Sequence, residues 1–264
     1  MESESFSKKI RIVLHHHGAE FDDEYKKMTE KNQKQVSKML EDVDVNIVLS
    51  NRLINSIKDK NNKAKVEVLY NAVKTYKENL YNNKANKILF LGRLGERKGV
   101  YDLLEVLKQI KENLKVFNIK IFLCGDGEIE TVEKKVKELG LEDIISHIGW
   151  IYDSEKEKIF NDTLINVLPS YNEGLPMSIL ETMGYGIPNI STNVASIPEV
   201  IKEGVTGYLI TPGDKATLKN DILMLINNEK LRKQISQNSF ELINKKFSLD
   251  ENVNKLKRIY WGIN

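Results

Sequence analysis

Ile165-Asn-Val-Leu-Pro-Ser-Tyr-Asn-Glu173-Gly-Leu-Pro-Met-Ser-Ile-Leu-Glu181 reads as a strand, a loop and the start of a helix. The apolar run 165–168 is short and continuous, as expected of a strand buried on both faces of a parallel sheet. Pro169, Gly174 and Pro176 punctuate the loop. Glu173 lies in that loop, and Glu181 lies on the helix that follows. This geometry can hold a sugar nucleotide at both ends. The loop glutamate can reach a hexose, the free amides of the helix start can meet a diphosphate, and the helix glutamate can accept hydrogen bonds from ribose hydroxyls. Taken alone, the spacing fits a surface turn and a solvated helix glutamate better.

The same rhythm extends on both sides. Residues 87–264 alternate strand and helix, with candidate strands at 88–91, 119–124, 144–148, 165–168, 188–191 and 207–210. Leu103, Val106, Leu107, Ile110 and Leu114 follow helical spacing and give one apolar stripe. Strands in that number, with helices between them, make a complete doubly wound α/β domain, whose ligands bind beyond the carboxyl ends of the strands. Residues 1–73 offer only three candidate strands, at 10–15, 45–50 and 66–70. A long charged helix at roughly 22–41 and a shorter one at 51–59 lie between them. The stretch 74–86, rich in Lys, Asn and Tyr, reads as a linker.

So small a parallel sheet cannot easily cover both of its apolar faces. An edge strand reading Ile10-Arg-Ile-Val-Leu14 invites pairing. The expectation is therefore the tail of a larger domain, its remainder missing from this chain or supplied by a separate one. Helices at 215–226 and 229–246 precede a last amphipathic stretch with Val253, Leu256, Ile259, Tyr260 and Trp261. That stretch packs on its own fold or crosses back to the incomplete domain.

Composition narrows the function. The chain has 264 residues, with 40 basic and 38 acidic groups, a balance that argues against nucleic acid as the main partner. Its one cysteine, Cys124, ends a predicted strand and reads as a small core residue. No apolar run reaches the length of a membrane span. The polar N-terminus, with an apolar run of only 10–14, does not read as a signal peptide. The expected compartment is the cytoplasm.

Other chemistry-bearing turns also fall at strand ends. Leu91-Gly-Arg-Leu-Gly-Glu-Arg-Lys-Gly99 offers glycines for close approach of the backbone to a phosphate, and Arg93 and Lys98 as cations for a diphosphate. It is neither a dinucleotide fingerprint nor a P-loop. Cys124-Gly-Asp-Gly-Glu128 is a tight turn that alone says little. In Leu14-His-His-His-Gly18, His15 and His17 can share a face. No further metal ligand is apparent there, so no metal site is expected. One of these histidines facing a cleft and a partly exposed structural histidine remain equal readings. Asp22-Asp23 and Asp42-Val-Asp44 read as solvated helix ends.

Together these residues resemble the group 1 (family 4) glycosyltransferases of the GT-B fold. The resemblance is carried by Asn172-Glu-Gly-Leu-Pro176, Leu180-Glu-Thr-Met-Gly-Tyr-Gly-Ile-Pro188 and Ser196-Ile-Pro-Glu-Val-Ile-Lys-Glu-Gly-Val-Thr-Gly-Tyr-Leu209. Gly92-Arg-Leu94, Lys98-Gly99, Gly125-Asp-Gly-Glu128 and His147-Ile-Gly-Trp150 add to it. It implies a Rossmann-like doubly wound donor domain over 87–264, a linker at 74–86, and a partial Rossmann-like acceptor-side domain over 1–73. His15-His-His-Gly-Ala-Glu-Phe21, Val48-Leu-Ser-Asn51 and Val68-Leu-Tyr-Asn-Ala72 resemble the end of that acceptor-side half.

The resemblance also implies roles. Arg93 and Lys98 would neutralise the diphosphate, Glu173 would contact the transferred sugar, and Glu181 the ribose. Amides at Gly174 and Leu175 would add donors, Gly125 would lie at the nucleotide, and the backbone of Trp150 and Ile151 would hold the base. His17 would face the sugar, with His15 as the lesser candidate. The implied reaction transfers a sugar, with retention and no metal or other cofactor, from a UDP- or GDP-linked donor to a glycan or lipid-linked acceptor of surface polysaccharide synthesis. The implied place is the cytoplasm, with room for peripheral contact at the inner membrane face. A donor-binding module inactive on its own is the second reading. A nicotinamide oxidoreductase is the third, and the missing dinucleotide fingerprint counts against it.

Overall fold

A computed structural model describes residues 10–17 and 21–261 of the chain. It divides into two compact units. One runs up to Tyr70 and resumes at Asn252; the other is Asn71–Glu251.

The first unit is built on three parallel strands, β1 (Val13–His16), β2 (Val45–Val48) and β3 (Val66–Val68), in the order β1-β2-β3. Successive side chains of a strand point to opposite faces, and β2 shows the consequence. Val48 packs with Leu40, Ile57 and Ala64, from the helices Glu30–Asp42 and Arg52–Lys58 and the turn after them. Val45 and Ile47 pack on the other face with Leu69, Ile259 and Leu256. The helix Leu249–Trp261 therefore supplies the second cover that sequence reasoning found lacking.

This corrects the domain assignment. The segment from Asn252 goes with the first sheet rather than with the donor half, because burying Leu256 and Ile259 there removes apolar surface from water. The expected long helix at 22–41 is also two helices, Phe21–Lys27 and Glu30–Asp42. Thr29 interrupts it: its backbone is extended and its hydroxyl accepts from Asn32 N, an N-cap. Among the described strands β1 is an edge, and Ile10 and Ile12 before it are exposed.

The second unit holds six parallel strands: β4 (Lys87–Leu91), β5 (Lys120–Cys124), β6 (Ile145–Gly149), β7 (Thr163–Leu168), β8 (Asn189–Thr192) and β9 (Tyr208–Ile210). Their order is β6-β5-β4-β7-β8-β9. All six residues of β7 are buried, as its unbroken apolar character predicts. The direction of strand succession reverses between β4 and β7. A doubly wound sheet opens its ligand crevice at that reversal, beyond the carboxyl ends of the two strands. The loops there are those that carry Lys98 and Glu173.

The stretch 74–86 is not a free linker. Tyr76, Leu80 and Tyr81 pack against the cluster of Leu89, Phe160, Tyr185 and Ile187, and the Tyr81 hydroxyl donates to Leu164 O at 2.9 Å. Asn79 Nδ2 donates to Ser236 Oγ at 2.9 Å. Aromatic burial and satisfied polar groups thus fix a segment whose composition reads as a linker. The predicted apolar stripe is buried from Leu103 through Leu114, although the helix breaks at Ile110 into Val100–Gln109 and Lys111–Val116.

Candidate functional site

The loop after β4 ends in a 3-10 turn, Glu96–Lys98, closed by Gly99 at φ +74°. A Cβ on Gly99 would stand 2.1 Å from Pro169 O, so only glycine lets this loop rest on the one after β7. The contact brings Lys98 to Glu173. Lys98 Nζ lies 2.5 Å from Glu173 Oε1, and Ser170 Oγ donates to the same oxygen at 2.6 Å. Glu173 is buried at 5% exposure, and Lys98 is part-buried at 14%. Among the described residues nothing donates to Glu173 Oε2, which leaves that oxygen as an acceptor for an outside hydroxyl.

Several partners hold the Glu173 loop, Arg97 at two of its residues. Thr192 Oγ1 donates to Ser170 O at 2.6 Å, Tyr171 N donates to Arg97 O at 2.9 Å, and Arg97 Nη1 donates to Asn172 O at 2.9 Å. Ser196 N donates to Gly174 O at 3.3 Å, and Asn71 Nδ2 to Leu175 O at 2.8 Å. These bonds turn the loop carbonyls toward the protein. Among the described residues no backbone carbonyl accepts from the amides of Gly174 or Leu175.

The helix Met177–Gly184 follows, with Pro176 at its cap, no side-chain capping bond and no acidic residue in its first turn. Its N-terminal amides and dipole therefore favour an anion. The helix is fixed from below: Thr182 Oγ1 and Asn166 Nδ2 both donate to Asn189 Oδ1, at 3.0 and 2.7 Å, inside the core. Glu181, one turn along, pairs with Lys156 Nζ at 2.8 Å. The pair borders a cavity of about 390 Å³ that Tyr76, Glu157, Phe160 and Met177 also line.

The remaining sequence candidates are placed as follows. Arg93 extends into solvent, 67% exposed and 3.6 Å from Asp126. Gly125 (φ +153°) lies against the loop after β4, where its own Cβ would be 2.0 Å from Gly92 O. The Gly125 amide donates to Gly149 O. Close packing of strand-end loops thus accounts for this glycine. Trp150 is 61% exposed after β6, whereas Ile151 is buried in the cluster with Phe160 and Tyr185; neither lines the cavity beside Glu181.

His15 and His17 belong to the first unit. Their rings stack at 5.7 Å, so they share a face, and His15 Nε2 lies 3.2 Å from the Tyr260 hydroxyl. Burial, then His17 and His16, holds the His15 imidazole below its usual range, as a neutral ring. Gly18, Ala19 and Glu20 of the His-rich motif lie outside the described residues. Among the described residues, no cluster of His, Cys, Asp and Glu could hold a metal ion, and no helix is long and apolar enough to cross a membrane.

Sequence reasoning missed Ser170, Lys156 and Asn71. Ser170 lies inside the quoted stretch and is legible only once Glu173 is known to turn back toward it. Lys156 sits in a charged helix, Asp153–Asn161, where nothing local distinguishes it from its neighbours.

Residues 71–242, most of the chain, match the family model described as glycosyl transferases group 1. The chain belongs to this family. It is 34% identical over 218 residues to an uncharacterized glycosyltransferase of Methanocaldococcus jannaschii, covering 81% of this chain and 58% of that protein. Against a capsular polysaccharide biosynthesis glycosyltransferase of Staphylococcus aureus it is 28% identical, covering 60% of this chain and 41% of the relative. Among solved structures, Anabaena HepE in complex with UDP superposes with a TM-score of 0.81 at 17% identity, covering 96% of this chain and 72% of that one. That likeness is one of fold, the two-domain α/β GT-B architecture. The group 1 chain spans about half the length of the curated relatives it matches.

Proposed function

We propose that this group 1 chain binds a nucleoside diphosphate sugar and transfers the sugar to a hydroxyl of a glycan or lipid-linked acceptor, in the making of a surface polysaccharide. The observation that carries this is the meeting of Lys98 and Glu173, 2.5 Å apart, beside the uncapped start of the helix Met177–Gly184. A cation, an acceptor oxygen and free amides then meet where the sheet reverses. The polysaccharide context is drawn from the Staphylococcus relative, and the uridine or guanosine diphosphate donor from family likeness and the UDP bound to HepE.

In this reading the diphosphate lies across the helix start, with Arg93 and Lys98 on its oxygens. Charge builds on the diphosphate as the anomeric bond breaks, so cations fixed beforehand stabilise the transition state more than the ground state. Glu173 Oε2 accepts from a sugar hydroxyl and orients the ring. Glu181 accepts from the ribose, and the backbone at Trp150 and Ile151 holds the base. On family likeness, His17 is proposed as a further sugar contact. The acceptor hydroxyl attacks on the face that the diphosphate leaves, its proton passing to a departing phosphate oxygen, which retains configuration. This path needs no metal and no covalent enzyme intermediate.

A thermal-shift panel of UDP- and GDP-sugars tests the reading, because a ligand that binds only the native state raises Tm. One sugar nucleotide is expected to raise Tm and to be hydrolysed slowly, with hydrolysis lost in Glu173→Ala. Binding without turnover would make the chain a donor-binding module. Binding of a nicotinamide cofactor instead would overturn the assignment.

A further inference from the structure

Tyr171 lies two residues before Glu173 and is 45% exposed. Its hydroxyl donates to Asp102 Oδ2 at 2.6 Å. Asp102 lies in the first turn of the helix Val100–Gln109 and is itself held: Lys215 Nζ lies 3.1 Å from Asp102 Oδ1 and 2.6 Å from Glu105 Oε2. Gly213, at φ +82°, makes room on the far side, where a Cβ would stand 3.2 Å from the Tyr171 hydroxyl. The Asp102 carboxylate, more than burial, pushes the Tyr171 phenol upward, so it stays protonated as the donor.

The arrangement adds little to stability, since Lys215 and Glu105 stay 36% and 44% exposed and pairs open to water contribute little. Its effect is local. The chain between Ser170 and Glu173 is short, so the direction of the Tyr171 side chain constrains the turn that aims the carboxylate. The helix bearing Asp102 and the turn at Gly213 meet this phenol, and Lys215 holds Asp102 from behind.

We propose that Tyr171 is a positioning residue for Glu173, a latch onto Asp102 that sets the sugar-facing carboxylate and so acts on the sugar of the donor rather than on its diphosphate. The proposal rests on the donor-binding reading of Glu173. Tyr171→Phe keeps the bond from Tyr171 N to Arg97 O and the packing at Gly99 and Gly125 that set the course of the loop after β4, so the diphosphate contacts of Arg93 and Lys98 are expected to be spared.

The test uses the full chain as wild type, Tyr171→Phe and Asp102→Asn. Calorimetric titration compares UDP-glucose and GDP-mannose with UDP and GDP. Tyr171→Phe is expected to weaken the preferred sugar nucleotide about tenfold, the factor that about 1.4 kcal/mol gives, and to leave the matching diphosphate within about twofold. Asp102→Asn keeps an acceptor and should fall between. Equal losses on both probes, or an unchanged preference for the sugar nucleotide, overturn the latch. Hydrogen exchange separates this from the reading beneath it. Amides of residues 171–175 should exchange faster in Tyr171→Phe at unchanged Tm. If the wild type binds none of the probes, the donor-binding reading fails on its own account, and unchanged exchange overturns the ordering role of Tyr171 with or without a ligand.

Discussion

Lys98 and Glu173 form an ion pair across two strand-end loops, 2.5 Å between Nζ and Oε1, with both side chains largely withdrawn from water. Removing one member of such a pair strands a buried charge, whereas replacing both by apolar groups is close to neutral. Glu173→Ala and Lys98→Ala are each expected to lose about 3 kcal/mol of stability in urea denaturation. The double replacement Lys98→Met with Glu173→Leu should regain most of it. Donor binding should be lost in all three, which separates the structural role of the pair from its proposed ligand role. Additive losses in the double-mutant cycle would show that the two groups are not coupled.

Glu181 and its partner Lys156 make the second prediction, at the other end of the proposed donor. If Glu181 holds the ribose, Glu181→Ala should weaken UDP or GDP about tenfold, the loss of a charged hydrogen bond of about 1.5 kcal/mol. It should leave inorganic pyrophosphate binding unchanged. Arg93→Ala should do the reverse and weaken pyrophosphate. Lys156→Ala should follow Glu181→Ala more weakly, because it frees the carboxylate without removing it. Isothermal titration with the two probes decides the matter, and a uniform loss on both would place Glu181 outside a ribose site.

The features legible in the sequence are those whose signal is local. Continuous apolar runs mark the strands of the larger sheet, and Gly99, Gly125 and Glu173 stand beside strand ends that can be read without knowing what they face. Partnerships between distant segments were not legible. Lys156 lies 25 residues before Glu181, and the charged helix around it offers several equivalent lysines. Asp102 reaches Tyr171 across 69 residues. The helix Leu249–Trp261 shows an apolar stripe, yet nothing in it says that the stripe belongs to Val45, Ile47 and Leu69. Thr29 is a weak N-cap signal inside a run of good helix formers, and it still ends one helix and begins another.

Gly99 and Gly125 occupy places where a Cβ would collide with backbone rather than with a movable side chain. Gly99→Ala places a methyl 2.1 Å from Pro169 O, and Gly125→Ala places one 2.0 Å from Gly92 O, both at positive φ. The loops must part, so each variant is expected to lose about 3 kcal/mol. Gly140, also at positive φ, has open space around its would-be Cβ, so Gly140→Ala should cost only about 1 kcal/mol. Comparable losses at all three in thermal or chemical denaturation would refute the close-approach argument.

Asp221 gives the stability of the second unit a pH dependence. Its side chain is buried in the helix Lys215–Asn227, and Oδ2 has no hydrogen-bond partner among the described residues. Burial, with Glu203 and Asp214 adding repulsion, pushes its carboxyl up to about 6. The unfolded chain ionises the same group near the ordinary aspartate value of about 4. The native state therefore holds the proton more tightly, and the benefit is complete below about pH 4 and lost as pH rises to about 6. Roughly two pH units of difference correspond to about 3 kcal/mol at most. Asp221→Asn keeps the shape without the charge. It should match the wild type near pH 4 and be more stable by about 1–3 kcal/mol at pH 7.5, raising Tm by several degrees. Denaturation across this range checks the sign as well as the size. A variant that gains stability at pH 4 and not at pH 7.5 would show that the aspartate is ionised and satisfied in the folded chain.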